Sequence, residues 1–281
     1  MKLTVIPESD VKQFPHRFNH SSQEFDFPAV IHPTGFSKWY HLLPFYDKIV
    51  KVNVNKYTAR LLRDIMQSTV ITGNILDSHR DMTHDLVNLL NEKIQELGQE
   101  EGQMCFVRLE YNSLKDSHKA SIPFRSGEEI VKAILLSLRS MTYIEYQLDI
   151  NEDMNVFLLP FRVIDRKDEL RCFVHQGKVT AITQNTWFKD LNLHQRSSTD
   201  FERIVENILT LNEKVNADPT FTLESRVMDV EAHPDCSVTL IEFNPFAPCC
   251  GSGLFSWERD YNQLVHPRDM IIEFRIVGHV P

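Results

Sequence analysis

The sequence predicts an α+β fold, and three observations carry that expectation. Apolar residues recur at helical spacing mainly in the earlier part of the chain. Strand-type runs, several facing each other across short polar breaks, gather later. No repeat, low-complexity tract or flexible linker interrupts the order, and segregated helices and hairpins suit α+β better than an alternating α/β plan.

Taken in order, residues 1–55 read as irregular, aromatic-rich and Pro-rich segments laid over a core. A short helix is expected over 56–67. A longer one follows over 79–97, with Leu86, Leu89, Leu90, Ile94 and Leu97 on one stripe and Gly98 as its stop. Residues 104–109 read as a buried strand. Ser126 and Glu129 have capping-box spacing and open a helix over 127–139. An apolar strand-type run covers 154–164. Residues 169–175 and 178–183 form a hairpin across Gln176-Gly177. Residues 199–215 form an amphipathic helix with Phe201, Ile204, Val205, Ile208 and Leu209 inward. A second hairpin spans 227–246, and 270–277 is the last strand. The expected division is an N-terminal lobe over 1–155 and a C-terminal one over 156–281.

Composition narrows the function. The chain has 281 residues, 42% hydrophobic and 25% charged, enough for a sizeable core. Its net charge of -9 argues against direct nucleic-acid binding, which needs basic surface. No run approaches transmembrane length, so no membrane partner is expected. The five cysteines form no Cys-x-x-Cys pair, and with no secretory signal they point to a reducing, cytoplasmic setting. A monomer is expected. His16 and His20 have i, i+4 spacing, but Pro15 and the lack of periodicity oppose a helical zinc site.

The second hairpin carries the chemistry. Alternation puts Glu242 and Asn244 on one face and Ile241 and Phe243 on the other. With the loop centred between Asp235 and Cys236, Asp229 falls opposite Glu242, with side chains roughly 5 Å apart. Two opposed carboxylates repel each other. A divalent cation would relieve that, and two carboxylates plus an amide oxygen suit Mg²⁺. The other reading is a solvent-facing Glu beside an Asn-Pro turn. Arg108 emerges from a buried strand, where its partner is either a phosphate or a protein carboxylate. Arg171 shares a face with Phe173 and offers a fork able to clamp a phosphate. Lys178, just past the first hairpin turn, is either a phosphate contact or a solvated side chain.

The stretches Phe36-Ser37-Lys38-Trp39-Tyr40, Phe106 to Asp116, Glu169 to Val174, Ile182-Thr183-Gln184, Ile241 to Phe246 and Leu254 to Glu258 together resemble the cell division cycle protein 123 family. The matches keep their order from about residue 36 to 277. The resemblance implies an ATP-grasp fold with ATP–Mg²⁺ between two lobes. It implies that Asp229, Glu242 and Asn244 hold the metal. Arg108 stands where the family has a phosphate-contacting Lys, and Arg171 keeps the family's Arg. Residues 155–159 would be the interlobe connection, with the backbone near Phe157 and Leu158 contacting adenine.

The family usually has Asp at Glu242, Asn at Glu110, an Arg-type residue at Leu159 and Arg-Asp at Asn185-Thr186. Glu110 among the cofactor-binding residues would repel phosphate unless paired. Eukaryotic members are assembly chaperones of translation initiation factor two and contact its gamma subunit. That function, with ATP and Mg²⁺ as cofactors, is the expectation. The alternatives are an ATP-grasp enzyme, a carboxylate–amine ligase or phosphotransferase acting on a protein, and a nucleotide-free interaction module. Trp39-Tyr40 and Trp257-Glu258 are expected to support the fold rather than to dock a partner.

Overall fold

A computed structural model describes residues 1–19, 26–98, 104–117 and 123–278. Its elements run β1 (Lys2–Pro7), α1 (Glu8–Gln13), α2 (Phe27–Val30), β2 (Val50–Val54), α3 (Lys56–Thr72), α4 (Asp77–Glu96), β3 (Cys105–Leu109), α5 (Gly127–Leu135), α6 (Leu138–Asp149) and β4 (Met154–Pro160). They continue with β5 (Glu169–His175), β6 (Lys178–Gln184), α7 (Ser198–Asn216), β7 (Arg226–Ala232), β8 (Val238–Pro245), α8 (Tyr261–Val265) and β9 (Glu273–Gly278). The class is α+β, as expected. Among the described residues no helix is long and apolar enough to cross a membrane. His20 lies outside the described residues.

The chain divides into two units, Phe45–Val163 and Met1–Pro44 with Ile164–Pro281. This differs from a split at 155/156, which would cut β4. The reason is the N-terminus. The first 55 residues are not wholly irregular: β1 pairs in parallel with β9, so the start of the chain belongs to the same sheet as its end. Strand β2 pairs with β4 in the other unit.

In the smaller unit the antiparallel order is β2-β4-β3. Val107, Val156 and Leu158 share a buried core with Leu62 and Ile65 of α3, Leu90 of α4, Ile134 of α5 and Ile144 of α6. The helix expected over 127–139 is two helices. Ser126 Oγ caps Glu129 N (3.3 Å), but the Glu129 carboxylate bonds Arg125 N (2.9 Å), one residue earlier than a capping box requires. Ser137 then starts α6 by accepting from Ser140 N at 3.1 Å while donating to Asp116 at 2.7 Å. A serine that satisfies the first turn of a new helix ends the old one.

In the larger unit the six strands lie in the order β1-β9-β6-β5-β7-β8. Only β9 pairs in parallel, with β1 and with β6. The β5–β6 hairpin turns at Gln176-Gly177, as expected. Helix α7 carries the full capping box, between Ser197 and Asp200, and buries Phe201, Ile204, Val205 and Ile208. Trp39 is fully buried, with Nε1 donating to Thr34 O (3.0 Å). Trp257 is buried too and donates to Cys250 O (2.7 Å), so both indoles hold this unit together.

Candidate functional site

The β7–β8 hairpin sets Asp229 directly opposite Glu242, as alternation implied. The loop, however, is centred one half-step earlier than expected. Beyond Asp229 the register shifts, so that Val230 faces Leu240 and Ala232 faces Val238. Ile241 is the extra residue of a β-bulge. The bulge sits next to Glu242 and leaves the carboxylate pair in register.

The sheet order extends this pair into something the local sequence does not display. Thr4 lies opposite Arg275, Arg275 opposite Thr183, Thr183 opposite Arg171, Arg171 opposite Asp229, and Asp229 opposite Glu242. Opposed residues of neighbouring strands share a face. One polar row therefore crosses all six strands.

The segment 251–255 folds back over that row. Leu254 O accepts from Arg275 Nη1 (3.1 Å), Leu254 N donates to Thr183 Oγ1 (3.2 Å), and Gly251 O accepts from Arg171 Nη1 (2.5 Å). Gly253 has φ +60°, and a Cβ there would lie 2.5 Å from Thr183 Cγ2, so only glycine lets the chain come this close.

At the Arg171 end, the guanidinium clamps Asp229 with two parallel bonds, Nε to Oδ1 and Nη2 to Oδ2, both 2.8 Å. Asn244 Nδ2 donates to Asp229 Oδ2 at 3.0 Å and lies 3.5 Å from Glu242 Oε1. Asp229 is fully buried and Glu242 nearly so. Burial works against the Arg171 charge, but the Asp229 carboxylate beside it, by charge and by hydrogen bond, holds its proton more tightly than in water. The neighbouring Cys250 thiol is pushed up to about 12, by burial first, and stays neutral. Two carboxylates and an amide make a hard oxygen-rich donor set that fits Mg²⁺. Among the described residues, no group of three or more His, Cys, Asp or Glu is placed to hold a metal, so any such site needs the Asn244 oxygen.

The other expected residues fall in different places. Lys178 is exposed at the hairpin tip. It is five residues along β6 from Thr183, or roughly 16 Å at the usual strand rise, so it does not join the Asp229 cluster. In the smaller unit, Arg108 on β3 is buried opposite Phe157. Glu110 follows it, also buried, and accepts from Asn155 Nδ2 at 3.2 Å. The Tyr111 hydroxyl beside it is raised above its ordinary pKa by burial and then by Glu110. Phe157 and Leu158 lie on β4, the central strand, each paired on both flanks. Backbone groups so placed are committed to the ladder. The strand ends at Pro160, and residues 161–163 beyond it carry no strand pairing. Sequence reasoning missed Thr183, Gly251 and Arg275.

The sequence model of the D123 family matches residues 75–280. A Danio rerio protein named translation initiation factor eIF2 assembly protein is 26% identical over 180 residues, covering 60% of this chain and 51% of that one. A putative CDC123-like protein of Acanthamoeba polyphaga mimivirus is 23% identical over 237 residues, covering 79% of this chain and 70% of its own. The chain thus spans about half the length of the Danio rerio relative. The structure of Cdc123 from Schizosaccharomyces pombe superposes with a TM-score of 0.66 at 19% identity, covering 89% of this chain and 97% of that one.

Proposed function

The chain belongs to the D123 family, of cell division cycle protein 123, whose fold it shares, and from that membership we propose that it is an ATP–Mg²⁺-binding ATP-grasp protein that assists assembly of translation initiation factor two. The observation that carries the nucleotide half is the end of the polar row, where Arg171, Asp229, Glu242 and Asn244 meet. Asp229, Glu242 and the Asn244 oxygen would hold Mg²⁺, which when bound offsets phosphate charge. Arg171 has five N–H donors, of which three are used by Asp229 and Gly251. The other two have no acceptor among the described residues and can donate to phosphate oxygens. Arg108 is the proposed phosphate contact of the smaller unit. Its test is calorimetry. Arg108→Met should weaken ATP by about 1.5–3 kcal/mol and adenosine far less, because charge-assisted bonds go only to the phosphates. Equal weakening of both ligands would make Arg108 a structural cation.

The partner half draws on the name of the Danio rerio relative. The gamma subunit is the proposed contact. Immobilised protein with ATP and Mg²⁺ should retain that subunit from a eukaryotic lysate. Failure to retain it, together with ADP or AMP release in the presence of some other protein, would replace the assembly role with an enzymatic one.

A further inference from the structure

The buried carboxylates of the polar row carry their own counter-charges, and we infer that Arg171 is a positioning residue that keeps bare divalent cations out, so that the site fills only with a cation already carried on phosphate. This rests on the nucleotide-binding reading above. A carboxylate offers about four lone-pair directions. At Asp229 three are taken, two by Arg171 and one by Asn244 Nδ2. The same amide nitrogen faces Glu242. Asn244 therefore turns its donor, not its oxygen, toward both carboxylates. A cation held by all three residues needs that amide turned over and needs a share of the oxygens Arg171 now holds.

Arg171 does not give way easily. A guanidinium cannot lose its proton in a protein, and its fork matches a carboxylate edge. Its third bond anchors it to the Gly251 carbonyl (2.5 Å). Gly251 is itself hemmed in: a Cβ there would lie 2.5 Å from Asn19 Oδ1 and 3.4 Å from Arg171 Nη1. A bare cation thus meets a fixed positive charge bonded to the ligand it needs. A cation on a polyphosphate brings oxygens that accept the two uncommitted N–H groups, and the repulsion becomes attraction. Cation and nucleotide then bind with positive coupling, which must be reciprocal. Without the guanidinium, the buried Asp229 carboxylate loses the counter-charge on both its oxygens, and a bare cation can take that place.

The test is calorimetry with Mg²⁺ alone, a non-hydrolysable ATP analogue alone, and both, on wild type and Arg171→Met. We expect the variant to bind bare Mg²⁺ about tenfold more tightly than wild type and the Mg²⁺–analogue pair about tenfold more weakly, within the usual range of coupling. Equal bare-cation affinity in the two proteins overturns the inference, and if wild type still binds the Mg²⁺–analogue pair the nucleotide reading survives. A wild type that binds no nucleotide sinks that reading, while the bare-cation comparison still decides the role of Arg171. If Arg171→Met does not fold, Arg171→Lys and Arg171→Gln replace it. The lysine variant keeps the positive charge and should still exclude bare Mg²⁺; Arg171→Gln, whose amide is neutral, should bind bare Mg²⁺ more tightly than wild type, and unchanged affinity in Arg171→Gln overturns the inference.

Discussion

Arg275 and Arg171 stand on the same polar row, on β9 and β5, with Thr183 of β6 between them. Their surroundings differ in one respect. Arg275 uses all five of its N–H groups. Nη2 and Nη1 bond Asp260 at 2.7 and 3.0 Å, Nε bonds Glu273 at 3.1 Å, Nη2 reaches Glu273 again at 3.5 Å, and Nη1 takes the Leu254 carbonyl. Its guanidinium also lies 4.0 Å from the Phe255 ring centre. Among the described residues, Arg171 bonds one carboxylate and one carbonyl and keeps two donors uncommitted. Burial and pairing are common to both. What separates a structural arginine from a candidate binding one is how much of the fork the protein itself fills.

The largest effect that tests this contrast is at Arg275. Arg275→Met leaves Asp260 and Glu273 without their guanidinium, and losing one partner of a buried pair is worth about 3–5 kcal/mol. Urea unfolding should show a loss of this size with no change in relative nucleotide affinity among folded molecules. A loss below that of Arg171→Met would reverse the two assignments.

Next comes Asp229→Asn, which keeps the shape and removes the charge. It should weaken Mg²⁺–nucleotide binding by about 1.5–3 kcal/mol, the worth of bonds to a charged group. Unchanged affinity for the pair, measured on protein with a native melt, would take the row out of the site.

The smallest effect is a pH dependence at the structural end. Burial alone would raise the Glu273 carboxyl, but its bonds and charge contact with Arg275 prevail, and the pKa sits below the ordinary 4.5. A depressed carboxylate pKa means that the folded state gives up the proton more readily. The added stability is therefore full above pH 4.5 and fades as pH falls through the folded value. Glu273→Gln should lose less stability than wild type between pH 6 and pH 3 in urea titrations. Identical acid sensitivity would show that the bond contributes nothing to folding.

Legibility followed range. The opposition of Asp229 and Glu242 could be read from two strands separated by a short loop, because alternation has a fixed period. The bulge at Ile241 could not, since one extra residue leaves no mark on composition. Asn244 was recognised as a donor of oxygen, yet the structure shows its nitrogen toward the acids. Arg275 read merely as part of a last strand. Its place beside Thr183 depends on β9 lying between β1 and β6, a pairing across most of the chain that no local pattern encodes. Helix α6 was missed for a different reason. Ser137 looks like any polar residue until its hydroxyl is seen to cap Ser140.

The parallel pairing of β1 with β9 has a consequence for synthesis. Lys2 pairs with Glu273 and Pro7 with Gly278, so the first strand waits until all the other strands have been made before it has a partner. While a ribosome makes the chain, Phe45–Val163 already holds every strand of its own sheet and can condense early. The six-stranded sheet cannot, because β9 joins β1 to β6 and is translated after the other five strands. Closing so distant a contact is slow, and until it closes, β1 and β6 both present unpaired edges open to neighbouring nascent chains.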